Sequence, residues 1–110
     1  PKLGASWEGF ALEQVLQRVG SSNAYFWATH GGAELDLMVT LDGKRYGIEL
    51  KYGDAPRSTR SMRVAIHDLG LERVVIVHPG RESYRIDQRI EALSILHVGR
   101  LFAVVGAGRS

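Results

Sequence analysis

Four charged residues fall at alternating positions of two short runs. Glu34 and Asp36 lie in the run 34–41, and Glu49 and Lys51 end the run 44–51. Carboxylates are hard oxygen donors, and Mg²⁺ takes one or two of them plus water. A lysine beside such an ion stabilises charge on a phosphate oxygen or holds an attacking water. Residues of these types suit metal-assisted hydrolysis of a phosphodiester.

The elements that must position them follow from periodicity. In 34–41, Leu35, Leu37 and Val39 alternate with Glu34, Asp36, Met38 and Thr40. In 44–51, Tyr46, Ile48 and Leu50 alternate with Arg45, Gly47, Glu49 and Lys51. Both patterns predict half-buried strands. Asp42-Gly43 between them predicts a type I′ hairpin, whose two central residues need positive φ. A two-residue loop sets Leu41 against Lys44, Leu37 against Ile48, Asp36 against Glu49 and Glu34 against Lys51. All four charges then share one face. Directly opposed residues hold their Cβ atoms roughly 4.5–5.5 Å apart, and like charges there destabilise the pair. A divalent cation would offset that repulsion. The plainer reading is a charged solvent face, with Glu34 paired to Lys51 or Glu49 to Arg45. A three-residue loop would shift the register by one.

The rest of the chain supplies a scaffold. A helix is predicted over 7–19, with Ser6 as N-cap and Gly20 as stop. Its apolar face carries Ala11, Leu12, Val15 and Val19, flanked by Trp7, Phe10 and Leu16. Glu8 falls on that same side, one turn before Ala11 and Leu12. An aromatic strand is predicted over 25–29. A second helix covers 58–69, with Met62, Ala65, Ile66 and Leu69 inward and Gly70 as its end. Arg60, Arg63 and His67 form the opposite stripe, with Arg57 nearby, suited to DNA phosphates or simply solvated. The run 73–78 predicts a buried strand stopped by Pro79-Gly80, and 84–86 a small edge strand. The run 91–98 is strand or short helix. The turn 53–56 and the tail 106–110 are expected to be the flexible pieces. The order is α-β-β-β-α-β.

Taken together, Gly32-Ala33-Glu34-Leu35-Asp36-Leu37 and Gly47-Ile48-Glu49-Leu50-Lys51-Tyr52-Gly53 resemble the Asp…Glu-x-Lys signature of the PD-(D/E)xK nuclease superfamily. With Phe26-Trp27-Ala28-Thr29-His30-Gly31 upstream, the run is similar to an uncharacterised domain found C-terminal to AAA-type ATPase modules in bacteria and archaea. Trp7-Glu8-Gly9-Phe10 and Val74-Val75-Ile76-Val77 extend the resemblance over most of the chain. It implies an α/β, restriction-endonuclease-like αβββαβ core with a central mixed sheet flanked by helices. It implies Mg²⁺ or Mn²⁺ on Asp36 and Glu49, with the Leu50 carbonyl as a third ligand and Lys51 as the catalytic lysine. Glu8 matches the helical glutamate of resolvase-like members. The expected activity is that of a metal-dependent DNA endonuclease, and a homodimer is a further expectation from that kinship. The alternative is an inactive DNA- or protein-binding module, for which Tyr25 and Trp27 would suit an interface.

Length and composition set the bounds. The 110 residues suit one domain, 1–110, either free-standing or excised from an AAA-type ATPase. No Gly-x-x-x-x-Gly-Lys-Ser/Thr motif occurs, so the chain carries no nucleotide-hydrolysing loop of that kind. No apolar run reaches the ~18 residues of a membrane span, and no signal peptide is evident. The absence of cysteine excludes thiolate zinc and disulfides, and fits a cytoplasmic setting. Net charge is +2, and arginine greatly outnumbers lysine, a bias suited to phosphate. His30, His67, His78 and His97 have no metal-ligand spacing, and no Gly-x-Ser-x-Gly motif is present.

Overall fold

A computed structural model of the chain describes residues 3–20, 23–26, 35–53 and 55–101. Helix α1 spans Leu3–Val19, a turn earlier than the capping pattern predicted. Ser6 lies inside the helix, exposed, and does not cap it. Leucine and alanine in the preceding turn are good helix formers, so a serine there sets no boundary. The other end is as expected. Gly20 takes φ +85° and its N–H donates to the Leu16 carbonyl at 2.8 Å.

Strands β1 (Ala24–Phe26), β2 (Leu37–Leu41) and β3 (Lys44–Leu50) form an antiparallel meander. Helix α2 (Arg60–Leu69) then crosses over to β4 (Leu71–His78), which lies parallel to β3. Strands β5 (Tyr84–Asp87) and β6 (Ile90–Ser94) close the six-stranded sheet in the order β1-β2-β3-β4-β6-β5. β4 and β6 are parallel, and β5 is the antiparallel edge. The undecided run 91–98 contains both forms: β6, then a 3₁₀ segment over Ile95–Arg100. The protein is thus α/β, with a mixed sheet flanked by helices.

Each face of the sheet buries one apolar cluster. On the α1 face, Ala11, Val15 and Val19 pack with Leu37, Val39, Ile48, Val75 and Val77. On the α2 face, Met62 and Ala65 pack with Met38, Leu71, Val74 and Ile76. β4 contributes to both, which is why its sequence is a nearly unbroken apolar run. Thr59 caps α2, its hydroxyl accepting the Met62 N–H at 3.1 Å, and Gly70 ends the helix in the left-handed region. Arg73 on β4 and Glu91 on β6 form a largely shielded ion pair at 2.6 Å that ties the two strands.

Phe10 departs from the helical wheel, since it is 52% exposed. The buried stripe of α1 is narrower than the wheel drew it and runs through Ala11, Val15 and Val19.

Candidate functional site

The hairpin that carries the acidic residues begins as its turn dictates. Asp42 and Gly43 take φ +54° and +77°, as a type I′ turn requires. The ladder then runs from Leu41↔Lys44 to Leu37↔Ile48 in the predicted register.

Beyond Leu37 the prediction fails. The Asp36 N–H donates to the Ile48 carbonyl at 3.1 Å, one residue out of step with the ladder. Leu35 therefore belongs to the α2-face cluster, while Leu37 belongs to the α1-face cluster. Two leucines that strict alternation would place together lie on opposite faces. Gly47 provides the room. A Cβ there would come within 3.0 Å of both Leu35 methyl groups and 3.1 Å of a Leu71 methyl. Burying Leu35 over this gap stabilises the departure, because each buried aliphatic side chain is worth about 1.5–3 kcal/mol.

The displaced Asp36 does not oppose Glu49 on a common face. Its Oδ2 accepts the Leu50 N–H at 2.7 Å, standing where the next β2 carbonyl would have stood. The Leu50 nitrogen is bonded to the carbonyl carbon of Glu49. The Asp36 carboxylate is thus tied to the peptide that follows Glu49, while the two side chains line different clefts. A strand residue directs its N–H and C=O to the same edge, so the Leu50 carbonyl also faces the side where β2 has left. Glu34 lies outside the described residues.

Two clefts flank this strand end. One, about 200 Å³, is lined by Glu8, Gly9, Leu12, Asp36 and Leu50. Glu8 lines this cleft and is exposed. The other cleft, about 140 Å³, lies on the α2 side and is lined by Glu49, Lys51, Arg57, Thr59 and Met62 among others. The structure brings Glu8 to Asp36, and Glu49 to Lys51 and Arg57.

Among the described residues, no three His, Cys, Asp or Glu side chains are gathered closely enough to cage a metal. A hydrated Mg²⁺ needs fewer ligands, since it keeps several waters and takes one or two carboxylates. The Asp36 carboxylate and the Leu50 carbonyl edge fit that donor set, with Glu49 or Glu8 as the second carboxylate.

The arginine stripe divides. Arg57 joins Lys51. Arg60 is exposed in the first turn of α2. Arg63 donates to the Ser58 hydroxyl at 3.2 Å and lines a different cleft with Asp87, Gln88 and Arg89. His67 sits beside Asp68 at the surface. Arg45 donates to the Leu69 carbonyl at the end of α2, at 3.2 Å. Tyr52, beside Lys51, packs its ring 5.8 Å from that of Trp7. His30 and Trp27 lie outside the described residues, as does the tail 106–110.

Sequence spacing passed over His78. It ends β4 and is only 5% exposed. Burial holds its imidazole below the ordinary histidine pKa, and the backbone of Glu82 opposes this more weakly. No motif marks it. Only the parallel pairing of β3, β4 and β6 sets its end of the sheet beside Lys51.

No helix among the described residues is long and apolar enough to cross a membrane. No solved structure matches the chain. An uncharacterized protein of Mycobacterium bovis, Mb2031c, is 46% identical over 93 residues, which is 84% of this chain and 21% of that protein. An uncharacterized protein of Mycobacterium tuberculosis, Rv2008c, matches with the same identity and coverage. The chain therefore spans about a fifth of the length of these relatives. Residues 3–98 match the family described as Domain of unknown function (DUF4143), and the chain belongs to that family.

Proposed function

We propose that this chain is a nuclease-type domain that hydrolyses phosphodiesters in DNA with Mg²⁺ or Mn²⁺. The observation that carries the reading is the Asp36–Leu50 hydrogen bond at the end of β3. It holds a carboxylate one peptide from Glu49 and beside the Leu50 carbonyl edge. Asp36 and Leu50 would hold the ion, with Glu49 and Glu8 completing it from either side. When bound, the ion supplies Lewis-acid polarisation of the phosphate and a more acidic water. Lys51 and Arg57 line the adjoining cleft, where they would bind phosphate oxygens and stabilise developing charge. The PD-(D/E)xK resemblance belongs to the same reading. So do a cytoplasmic setting, an AAA-type ATPase module as partner in the same or a neighbouring chain, and a homodimer.

The test is cleavage of linear, single-stranded and branched DNA with Mg²⁺ or Mn²⁺, using wild type, Glu49→Ala and Lys51→Ala. Metal-dependent cutting lost in both variants supports the assignment. One observation favours a second reading. The Asp36 carboxylate already serves a backbone N–H, and the acidic residues divide between two clefts. A DNA-binding module without catalysis would keep such an arrangement for its fold. That reading takes over if folded wild type retains DNA without divalent ions and cuts none of the three substrates.

A further inference from the structure

The α2 face carries a second feature that the proposed chemistry does not use. The β5–β6 turn approaches the side of α2 and leaves a cleft of about 180 Å³, lined by Arg63, Ile66, Asp87, Gln88, Arg89 and Ile90. Met62 lines the Lys51–Arg57 cleft, and Ile66, about one helical turn on, lines this one. The two clefts therefore follow one another along α2. Arg60, which is exposed, stands three residues before Arg63 and so on the same side of the helix.

Two guanidinium groups line this cleft, and the ion pairs among the described residues include neither. Neutral oxygens hold them instead. Arg63 donates to the Ser58 hydroxyl at 3.2 Å. Arg89 donates to the Leu71 and Glu72 carbonyls, each at 3.4 Å, while its own carbonyl accepts the Val74 N–H at 2.7 Å. In both arginines these bonds engage a single terminal nitrogen, Nη1, and a guanidinium has five N–H donors. The rest of each fork is left for another acceptor. Asp87 is the acidic member of the cleft, and its Oδ1 accepts the Gln88 N–H at 2.6 Å. Two cations held on one small cleft repel each other, and an anion between them reverses the sign of that interaction.

We propose that Arg63 and Arg89 together hold one backbone phosphate of a DNA duplex that runs along α2 from the Lys51–Arg57 cleft. This rests on the nucleic-acid reading above and deepens it by giving the path of the backbone and its second anchor. Guanidinium forks match the oxygens of a phosphate, and such charge-assisted bonds are the strong ones. The cleft falls below the ~300–1,000 Å³ of sites that enclose a whole small molecule, so it suits a single anionic group with the rest of the ligand outside. Arg60 lies between the two clefts in sequence and on the Arg63 side of the helix, where it adds positive charge along the path. A contact of this kind positions the duplex and reads no bases.

The test titrates the chain with a short DNA duplex across a range of salt, without divalent ions, and reads the slope of log affinity against log salt. The double variant Arg63→Gln with Arg89→Gln should lower that slope by about 0.9, the value of one phosphate contact. Carried over one decade of salt, that is about eightfold weaker binding. Each single variant should lose no more than the double. Arg89→Lys should keep the slope, which separates the charge from the hydrogen bonds to Leu71 and Glu72. Arg18→Gln changes net charge equally on the α1 side of the sheet and should leave the slope alone. An unchanged slope in the double variant, a fall of about 1.8 (two separate phosphates), or an equal fall in Arg18→Gln overturns the shared anchor while DNA binding stands. A wild type that binds no duplex at any salt overturns the anchor and the nucleic-acid reading together.

Discussion

The two ends of the β2–β3 hairpin obey different rules. At the turn, Asp42 and Gly43 impose their dihedral angles, and five successive residue pairs follow in the register a two-residue loop demands. At the open end, β2 leaves the ladder after Leu37, Leu35 crosses to the α2 face, and Asp36 is bound through its side chain to the Leu50 N–H. Local chemistry governs the first end. Long-range packing against Gly47 and Leu71 governs the second. The difference teaches where alternation can be trusted: only as far as backbone hydrogen bonds keep the strand in step. The candidate site lies just past that point, where a backbone edge is free to serve something other than a strand.

The largest expected effect lies at the open end and concerns activity. Lys51→Ala should reduce metal-dependent cleavage about 100-fold or more, by loss of charge stabilisation, while the melting temperature stays put. Undiminished cleavage would remove Lys51 from the chemistry. Next comes packing. Gly47→Val should cost about 1–3 kcal/mol in denaturant unfolding, because its side chain collides with Leu35 and Leu71. If the variant is as stable as wild type, Leu35 does not need that gap and the account of the open end is wrong. At the turn, Gly43→Ala should cost about 1–2 kcal/mol through its positive φ, with the cleft residues unperturbed in amide spectra.

Asp36 separates structure from chemistry at one residue. Asp36→Ala should cost about 1 kcal/mol by orphaning the Leu50 N–H, and Asp36→Asn only a few tenths, since the amide oxygen still accepts. Equal losses in both variants would mean that charge, not the hydrogen bond, holds the strand end. Asparagine should still abolish metal-dependent cutting if the carboxylate binds an ion.

The smallest effect is a pH dependence set by His78. Its pKa is lowered in the folded chain, so between that value and the ordinary 6.5 the unfolded chain binds more protons. Stability from this group is full above pH 6.5. It declines as pH falls from 6.5 to the folded pKa and is constant below. Chemical denaturation of wild type and His78→Phe from pH 7.5 to 4.5 checks the sign. The difference between the two should shrink towards acid, and a difference that grows towards acid would contradict the buried neutral imidazole.

Much of this was legible in the residues. Alternation in 44–51, the Asp42-Gly43 turn, the Gly20 and Gly70 stops, and the apolar run of β4 all depend on neighbours within a few positions. The α/β order follows from them, and so does the gathering of Glu49 with Lys51, two apart on one strand. The boundary of α1 was less legible, since Ser6 is as acceptable inside a helix as before one. Phe10 was misjudged because a wheel measures angle and not the extent of the surface packed against it.

The sequence by itself determined the secondary structure around the site, the residue types available there, and the register of the hairpin to Leu37. These are fixed by steric preference and by periodicity, which act over a few residues. Tertiary structure alone decided that Leu35 and Leu37 face opposite cores, that Asp36 meets Leu50 instead of Glu49, and that His78 is buried beside Tyr84. Each of those depends on what stands across the sheet or at the end of a neighbouring strand. Leu35 is buried against the space over Gly47 on the α2 face, and no spacing along the chain records that packing.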